Sequence, residues 1–239
     1  KRQMVGCLHK KTSTSIVFFP RKKNCSIIFM EHRILEDPRY KHIAEPKSIL
    51  FQIFSFIFDL YANTVLTFYS PVKVIGRENI PKNRPFIFVS NHNSHMDIAI
   101  LAYSTRMGYE KFGFLAAKDY WFDNNFRRRF FKNLINLIPI SRKPNPESLD
   151  LDDTMTLSKA FMDLGNNIII FPEGSRGEVG KIQRFRKGAV KFSMGLDVPI
   201  LPAAIMGAEK AWPKGEKFIR PFPITVKVLP KIDPPKTKE

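Results

Sequence analysis

From Pro71 onward, short apolar runs alternate with stretches of helical period, and that alternation leaves few folds open to the chain. The apolar runs fall at Val72–Ile75, 86–90, Phe112–Ala117, 167–171, 200–205 and 224–229. Helices are expected between them, near 97–107, 124–137, 148–164 and 187–195. Strands interleaved with helices predict an α/β domain, with a central mixed, largely parallel sheet flanked by helices. A length of 239 residues suits one such domain with a small appendage.

The appendage is predicted at residues 48–70, SILFQIFSFIFDLYANTVLTFYS. Its polar residues are Ser48, Gln52, Ser55, Asp59, Asn63, Thr67 and Ser70, at steps of 4, 3, 4, 4, 4 and 3. That is a helical period, so one narrow polar stripe runs down an otherwise apolar helix. Asp59 and the stripe argue against a simple membrane span. A helix with so wide an apolar face is expected in a bilayer interface, with burial in a core as the competing reading. A break near Tyr61-Ala62-Asn63 would make two helices of it.

Lys and Arg number 39 against 22 Asp and Glu, a net charge of +17. A field of that sign attracts an anionic partner: nucleic acid, an anionic bilayer or a phosphorylated substrate. Phe contributes 22 residues, and Phe mixed with Lys and Arg suits an anionic membrane surface. Cys7 and Cys25 are too few for a disulfide framework or a four-cysteine zinc site. Residues 1–29 show no sustained period and no secretory apolar core, and regular patterning begins at Met30. The expected division is a non-native or disordered extension over 1–29 and a leader over 30–47. Amphipathic membrane-associating helices follow over 48–70, then a catalytic domain over 71–239.

Two strands end in polar turns, where open α/β sheets place their sites. The run at 86–90 leads into Asn91-His92-Asn93-Ser94-His95-Met96-Asp97 and then a helix. If the loop folds back, Asp97 accepts from one imidazole nitrogen of His92 and leaves the other as a general base. The alternative makes Asn91, Ser94 and Asp97 loop and cap residues with His92 incidental. His95 with His92 and Asp97 would be a metal trio, but nothing nearby completes a site.

The run at 167–171 leads into Pro172-Glu173-Gly174-Ser175-Arg176-Gly177. Gly174 and Gly177 allow close backbone approach to a ligand, and Arg176 can grip a phosphate bidentately. Glu173 either bonds a ligand hydroxyl or pins the loop. Ser175 is not a nucleophile elbow, because Glu173 stands where that motif needs Gly. No phosphate-binding or dinucleotide glycine fingerprint is present. Arg184, Arg186, Lys187 and Lys191 form a second basic cluster that either lines the same site or only adds to net charge. A basic aromatic stretch at 124–132 is read either as a headgroup-facing helix start or as a solvated face.

The pair of blocks, Asn91-His92-x-Ser94-x-x-Asp97 and Phe171-Pro172-Glu173-Gly174-Ser175-Arg176, resembles the glycerolipid acyltransferases. Within them the likeness is to the 1-acylglycerol-3-phosphate (lysophosphatidic acid) acyltransferases. Phe114-Leu115-Ala116-Ala117-Lys118 and Val198-Pro199-Ile200-Leu201-Pro202 match two further family blocks in order and spacing. The resemblance covers about residues 46–233. It implies acyl transfer from a thioester, acyl-CoA or acyl-carrier protein, to a lysophospholipid hydroxyl, giving phosphatidic acid. By position His92 resembles the catalytic base and Asp97 its orienting partner. Lys118 and Arg176 resemble the groups that hold the acceptor phosphate. Glu173, Gly174 and Ser175 resemble the rest of the acceptor loop.

Family members most often carry Thr at the place of Ser175 and commonly Ser at that of Gly177. The resemblance implies no metal, no cofactor beyond the donor and no nucleic-acid partner. It also implies a membrane-associated enzyme at the cytoplasmic face. A glycerol-3-phosphate or other lysophospholipid acyltransferase is the neighbouring reading. A non-catalytic basic protein that binds membrane or nucleic acid is the reading from another class.

Overall fold

The protein is described here by a computed structural model covering residues 34–117, 136–141, 149–177, 181–213 and 215–235. The expectations placed on residues 1–29, on the basic stretch at 124–132 and on Lys118 lie outside these residues.

Among the described residues seven strands form one sheet. They are β1 (Val72–Ile75), β2 (Ile87–Ser90), β3 (Phe112–Ala117), β4 (Asn136–Ile140), β5 (Asn167–Ile170), β6 (Ile200–Met206) and β7 (Ile224–Val228). Their order across the sheet is β1-β7-β6-β2-β5-β3-β4. Every neighbouring pair is parallel except β6 and β7. The sheet is thus mixed and largely parallel, as the alternating pattern predicted.

Side chains along each strand point alternately to the two faces, which divides the core in two. Phe86, Phe88 and Ile169 face one side with Ile100 and Leu101 of helix α2 (Asp97–Thr105). Ile87, Ile168 and Ile170 face the other side. There they meet Leu157 and Phe161 of α3 (Leu151–Asp163) and Phe192 of α4 (Gly188–Leu196). α3 starts where the Asp150 side chain accepts the Asp153 N–H at 2.6 Å, with Asp152 and Asp153 in the positively polarised first turn. A short helix α5 (Ala208–Ala211) follows β6.

Two expectations need correction. The helix predicted over 124–137 does not reach its end, because Asn136 and Leu137 belong to strand β4. β4 ends the strand order, and Asn136 and Pro139 break the apolar run that would otherwise mark it as a strand in the sequence. The break predicted near 61–63 is also absent. One helix, α1, runs over Ile49–Thr64 from a Ser48 cap. It continues into a widened turn at Val65–Tyr69, where Ser70 N–H bonds to the Val65 carbonyl at 2.8 Å.

α1 is turned inside out relative to an ordinary surface helix: its polar stripe faces the protein. Ser55 is buried, and Asp59 accepts the Tyr109 N–H at 3.0 and 3.1 Å. Thr67 Oγ1 meets the Tyr103 hydroxyl at 3.2 Å, and Ser70 Oγ donates to the Arg220 carbonyl at 3.0 Å. Burial pushes the Asp59 carboxyl up to about 6, against the opposing effect of the Tyr109 N–H. Phe51 and Leu66 are buried against the body, and most of the other apolar residues point away from it, with Ile49 75% and Phe68 82% exposed. By length and composition Ile49–Tyr69 could cross a membrane.

Gly76 and Gly165 both have φ of +79°. A Cβ at Gly76 would collide with the Val228 carbonyl oxygen, whereas nothing lies within 4 Å of one at Gly165. Gly165→Ala is expected to cost only the left-handed backbone strain, about 1–2 kcal/mol. Gly76→Ala adds a clash with backbone and should cost about 3 kcal/mol or more. Urea denaturation of the two variants side by side checks the difference.

Candidate active site

β2 and β5 are adjacent and parallel, so the loops that leave them emerge side by side at one edge of the sheet. The β2 loop carries Asn91 to Met96, and the β5 loop carries Phe171 to Gly177.

Asn91 extends β2 with its side chain. Its Oδ1 accepts the Ile205 N–H at 2.8 Å and its Nδ2 donates to the Ile205 carbonyl at 2.9 Å. That pair of bonds imitates a strand residue on β6 and fixes where the loop departs. The chain then folds back onto Asp97, the first residue of α2 and fully buried. Asp97 Oδ2 accepts the Asn93 N–H at 2.8 Å, the Ser94 N–H at 2.9 Å and His92 Nδ1 at 2.8 Å. A carboxylate only accepts, so Nδ1 carries a proton, and in the neutral ring Nε2 is the nitrogen with the lone pair. Among the described residues Nε2 has no hydrogen-bond partner. The His92 ring stacks on Phe171, with centroids 4.0 Å apart and planes 14° from parallel. Tautomer and orientation of the imidazole are therefore both set.

Glu173 locks the two loops together. It is 4% exposed; Oε1 accepts the His92 N–H at 2.8 Å, and Oε2 accepts the Gln183 N–H at 3.1 Å. Gly177 N–H returns a bond to the His92 carbonyl at 3.1 Å. Of the two roles expected for Glu173, this geometry is that of the pin. Gly174 has φ of +75°, and the Arg186 guanidinium packs where its Cβ would stand, at 3.3 Å. Arg186 is thus drawn from the second basic cluster to the edge of the site. Ser175 is exposed on the outer side of the turn.

Arg176 Nη1 lies against the His95 ring, 2.9 Å from Nε2 and closer still to Nδ1. A guanidinium can only donate, so His95 receives it as a neutral ring. Burial lowers the His95 pKa, the positive Arg176 lowers it further, and Asp97 acts in the opposite sense. A ring engaged by a guanidinium is not placed to join His92 and Asp97 on a metal. The His95 ring also tilts against Trp212 at 5.1 Å, and the His95 backbone N–H donates to the Trp212 carbonyl at 3.3 Å.

The structure therefore brings His92, Asp97, Glu173, Gly174 and Arg176 into one cluster. Phe171 as the shelf for the imidazole and His95 as the partner of Arg176 were not anticipated. Phe171 was visible as the last apolar residue of a strand and the first of the block that carries the resemblance, without a role, and His95 only as a discounted metal ligand. What the cluster offers is an oriented imidazole with two cations, Arg176 and Arg186, at the glycine turn beside it.

A family model described as Acyltransferase matches residues 71–206, which include both loops. A 1-acyl-sn-glycerol-3-phosphate acyltransferase of Limnanthes douglasii is 30% identical over 163 residues, covering 68% of this chain and 55% of that protein. One from Cocos nucifera is 29% identical over 163 residues, covering 68% of this chain and 50% of that protein. The chain thus spans about half the length of these relatives. The crystal structure of a 1-acyl-sn-glycerophosphate (LPA) acyltransferase, PlsC, from Thermotoga maritima superimposes with a TM-score of 0.58. It is 25% identical, and the match covers 89% of this chain and 79% of that one.

Removing the Glu173 carboxylate leaves two backbone N–H groups in different loops without their acceptor. Glu173→Ala is expected to cost about 1–3 kcal/mol, the penalty of leaving buried donors unpaired. The His92 and Gln183 amides should lose protection together in hydrogen exchange, which the exposed Ser175→Ala should leave unchanged.

Proposed function

The chain belongs to the acyltransferase family, and from that premise we propose that it acylates 1-acylglycerol-3-phosphate to phosphatidic acid. The acyl donor in this reading is a thioester, acyl-CoA or acyl-carrier protein. The observation that carries the proposal is the His92–Asp97 pair, 2.8 Å apart, beside a loop that presents Arg176.

A thioester is already activated, so transfer needs neither a covalent enzyme intermediate nor a metal. It needs a base at the acceptor hydroxyl and both substrates aligned. His92 Nε2 takes the hydroxyl proton as the acceptor oxygen attacks the thioester carbonyl. The tetrahedral intermediate collapses, its C–S bond breaks, and the departing thiolate recovers the proton from His92. The Nδ1–H bond to Asp97 stabilises the imidazolium between the two steps and prevents the ring from turning. Arg176 and Lys118 are the proposed ligands of the acceptor phosphate, and Ser175 with Gly174 completes that end of the site. Glu173 serves the acceptor by holding this turn against the His92 loop.

The orientation of α1 supports a membrane-associated enzyme. Its polar stripe bonds to the domain and its apolar face is free to enter an anionic bilayer surface, where a lysophospholipid resides. The cytoplasmic face is the proposed side.

The test is transfer from labelled acyl-CoA or acyl-carrier protein to lysophosphatidic acid in vesicles. His92→Ala should lower turnover by about 10²–10⁴ with an unchanged melting temperature. Turnover that survives this change would remove the base assignment. Arg176→Ala should raise KM for a phosphate-bearing acceptor by about 10–100-fold, the worth of a charge-assisted bond, and leave an acceptor without phosphate nearly unaffected. Equal loss on both acceptors would contradict the phosphate role.

A further inference from the structure

The catalytic reading uses neither Phe218 nor the loop around it. Phe218 is 80% exposed, with Lys217 before it and Arg220 two residues on, both also exposed. Arg220 is paired with Glu216 at 2.8 Å, while Lys217 has no ion pair among the described residues.

The loop is anchored at both ends. On one side the Ile219 carbonyl accepts the Tyr69 hydroxyl at 3.3 Å and the Arg220 carbonyl accepts Ser70 Oγ at 3.0 Å. Those bonds fasten it to the C-terminal end of the apolar α1 segment, next to Phe68. On the other side the Trp212 carbonyl accepts Ser94 Oγ at 2.8 Å and the His95 N–H at 3.3 Å. Trp212 Nε1 then donates to the Glu216 carbonyl at 2.9 Å and closes the loop on itself. One strap therefore joins the outward apolar helix to the loop that carries His92.

An exposed Phe beside an outward-facing apolar helix continues one surface rather than forming a separate patch. The feature is a single aromatic tip flanked by cations, not a groove, and the chain carries a net +17. An aromatic tip with basic neighbours matches the interface of an anionic bilayer, where the ring enters the acyl region and the cations meet phosphates.

We propose that the loop at 215–220 is a second membrane contact. Phe218 enters the bilayer interface beside α1, Lys217 meets anionic headgroups, and the strap through Trp212 holds the His92 loop at the lipid surface. The contact itself is independent of the chemistry; only its consequence for turnover rests on the acyltransferase reading.

The test is flotation of wild type, Phe218→Glu and Phe218→Leu with phosphatidylcholine vesicles, with and without phosphatidylglycerol. Phe218 lies on the surface, so the melting temperature should not change. Phe218→Glu should weaken partition into the anionic vesicles by about tenfold, the worth of part of a phenyl ring's burial, and Phe218→Leu should retain most of it. Acyl transfer to lysophosphatidic acid in vesicles should fall with partition, and transfer to a water-soluble short-chain acceptor should not.

Wild-type partition by Phe218→Glu would overturn the proposal. So would a concentration-dependent dimer without lipid that Phe218→Glu abolishes, since it would assign the surface to a second copy of the chain. Loss of turnover on both acceptors by the wild type would count against the acyltransferase reading and leave the flotation result standing.

Discussion

One buried carboxylate oxygen organises the site. Asp97 Oδ2 gathers two backbone N–H groups and the His92 ring within 2.9 Å, at the positively polarised start of α2. Its placement is affordable in the interior only because those donors replace the water it loses. The same three bonds decide the path of the loop, the tautomer of His92 and the direction of its free nitrogen. A carboxylate on the protein surface would meet the imidazole with similar geometry but would leave the loop and the ring free to move. One atom therefore makes the bonds of a loop cap and the bond to the His92 ring at once.

The second organising constraint is the neighbourhood of β2 and β5. Strands that are parallel and adjacent deliver their C-terminal loops to the same edge, which is how Glu173 comes to bond the main chain of His92, 81 positions before it. The pin acts at the backbone of His92 rather than at its ring. The Arg176 turn is thereby tied to the main chain of His92, and the separation between the two loops does not rest on side-chain contacts to the ring.

How far the sequence carries the structure depends on what kind of signal each part leaves. Strand β5 is buried on both sides and reads as an unbroken apolar run, so its limits are legible to a residue. β4 carries Pro139 at the sheet edge and leaves no such run. The stripe from Ser48 to Ser70 has a clear helical period, but period alone does not say which face meets the protein. Only the bonds from Asp59, Thr67 and Ser70 show the stripe turned inward. In the site, His92, Asp97 and Arg176 were visible as reactive types at strand ends. Phe171 and His95 were not, because stacking on an imidazole and accepting from a guanidinium depend on where two loops meet, a relation no local spacing encodes.

The inward stripe also explains how an apolar helix and a soluble-looking α/β body coexist in one chain. A helix with an apolar inner face would gain most from sinking into the core, and its outer face would then be polar. Here the inner face bonds through single polar atoms beside Phe51 and Leu66, and most of the apolar side chains stay exposed. The attachment at Ser70 is continuous through the Arg220 carbonyl, the loop bearing Phe218 and Trp212 to the backbone of His95. The exposed apolar helix and the loop that carries His92 are therefore held at a fixed separation by bonded main chain.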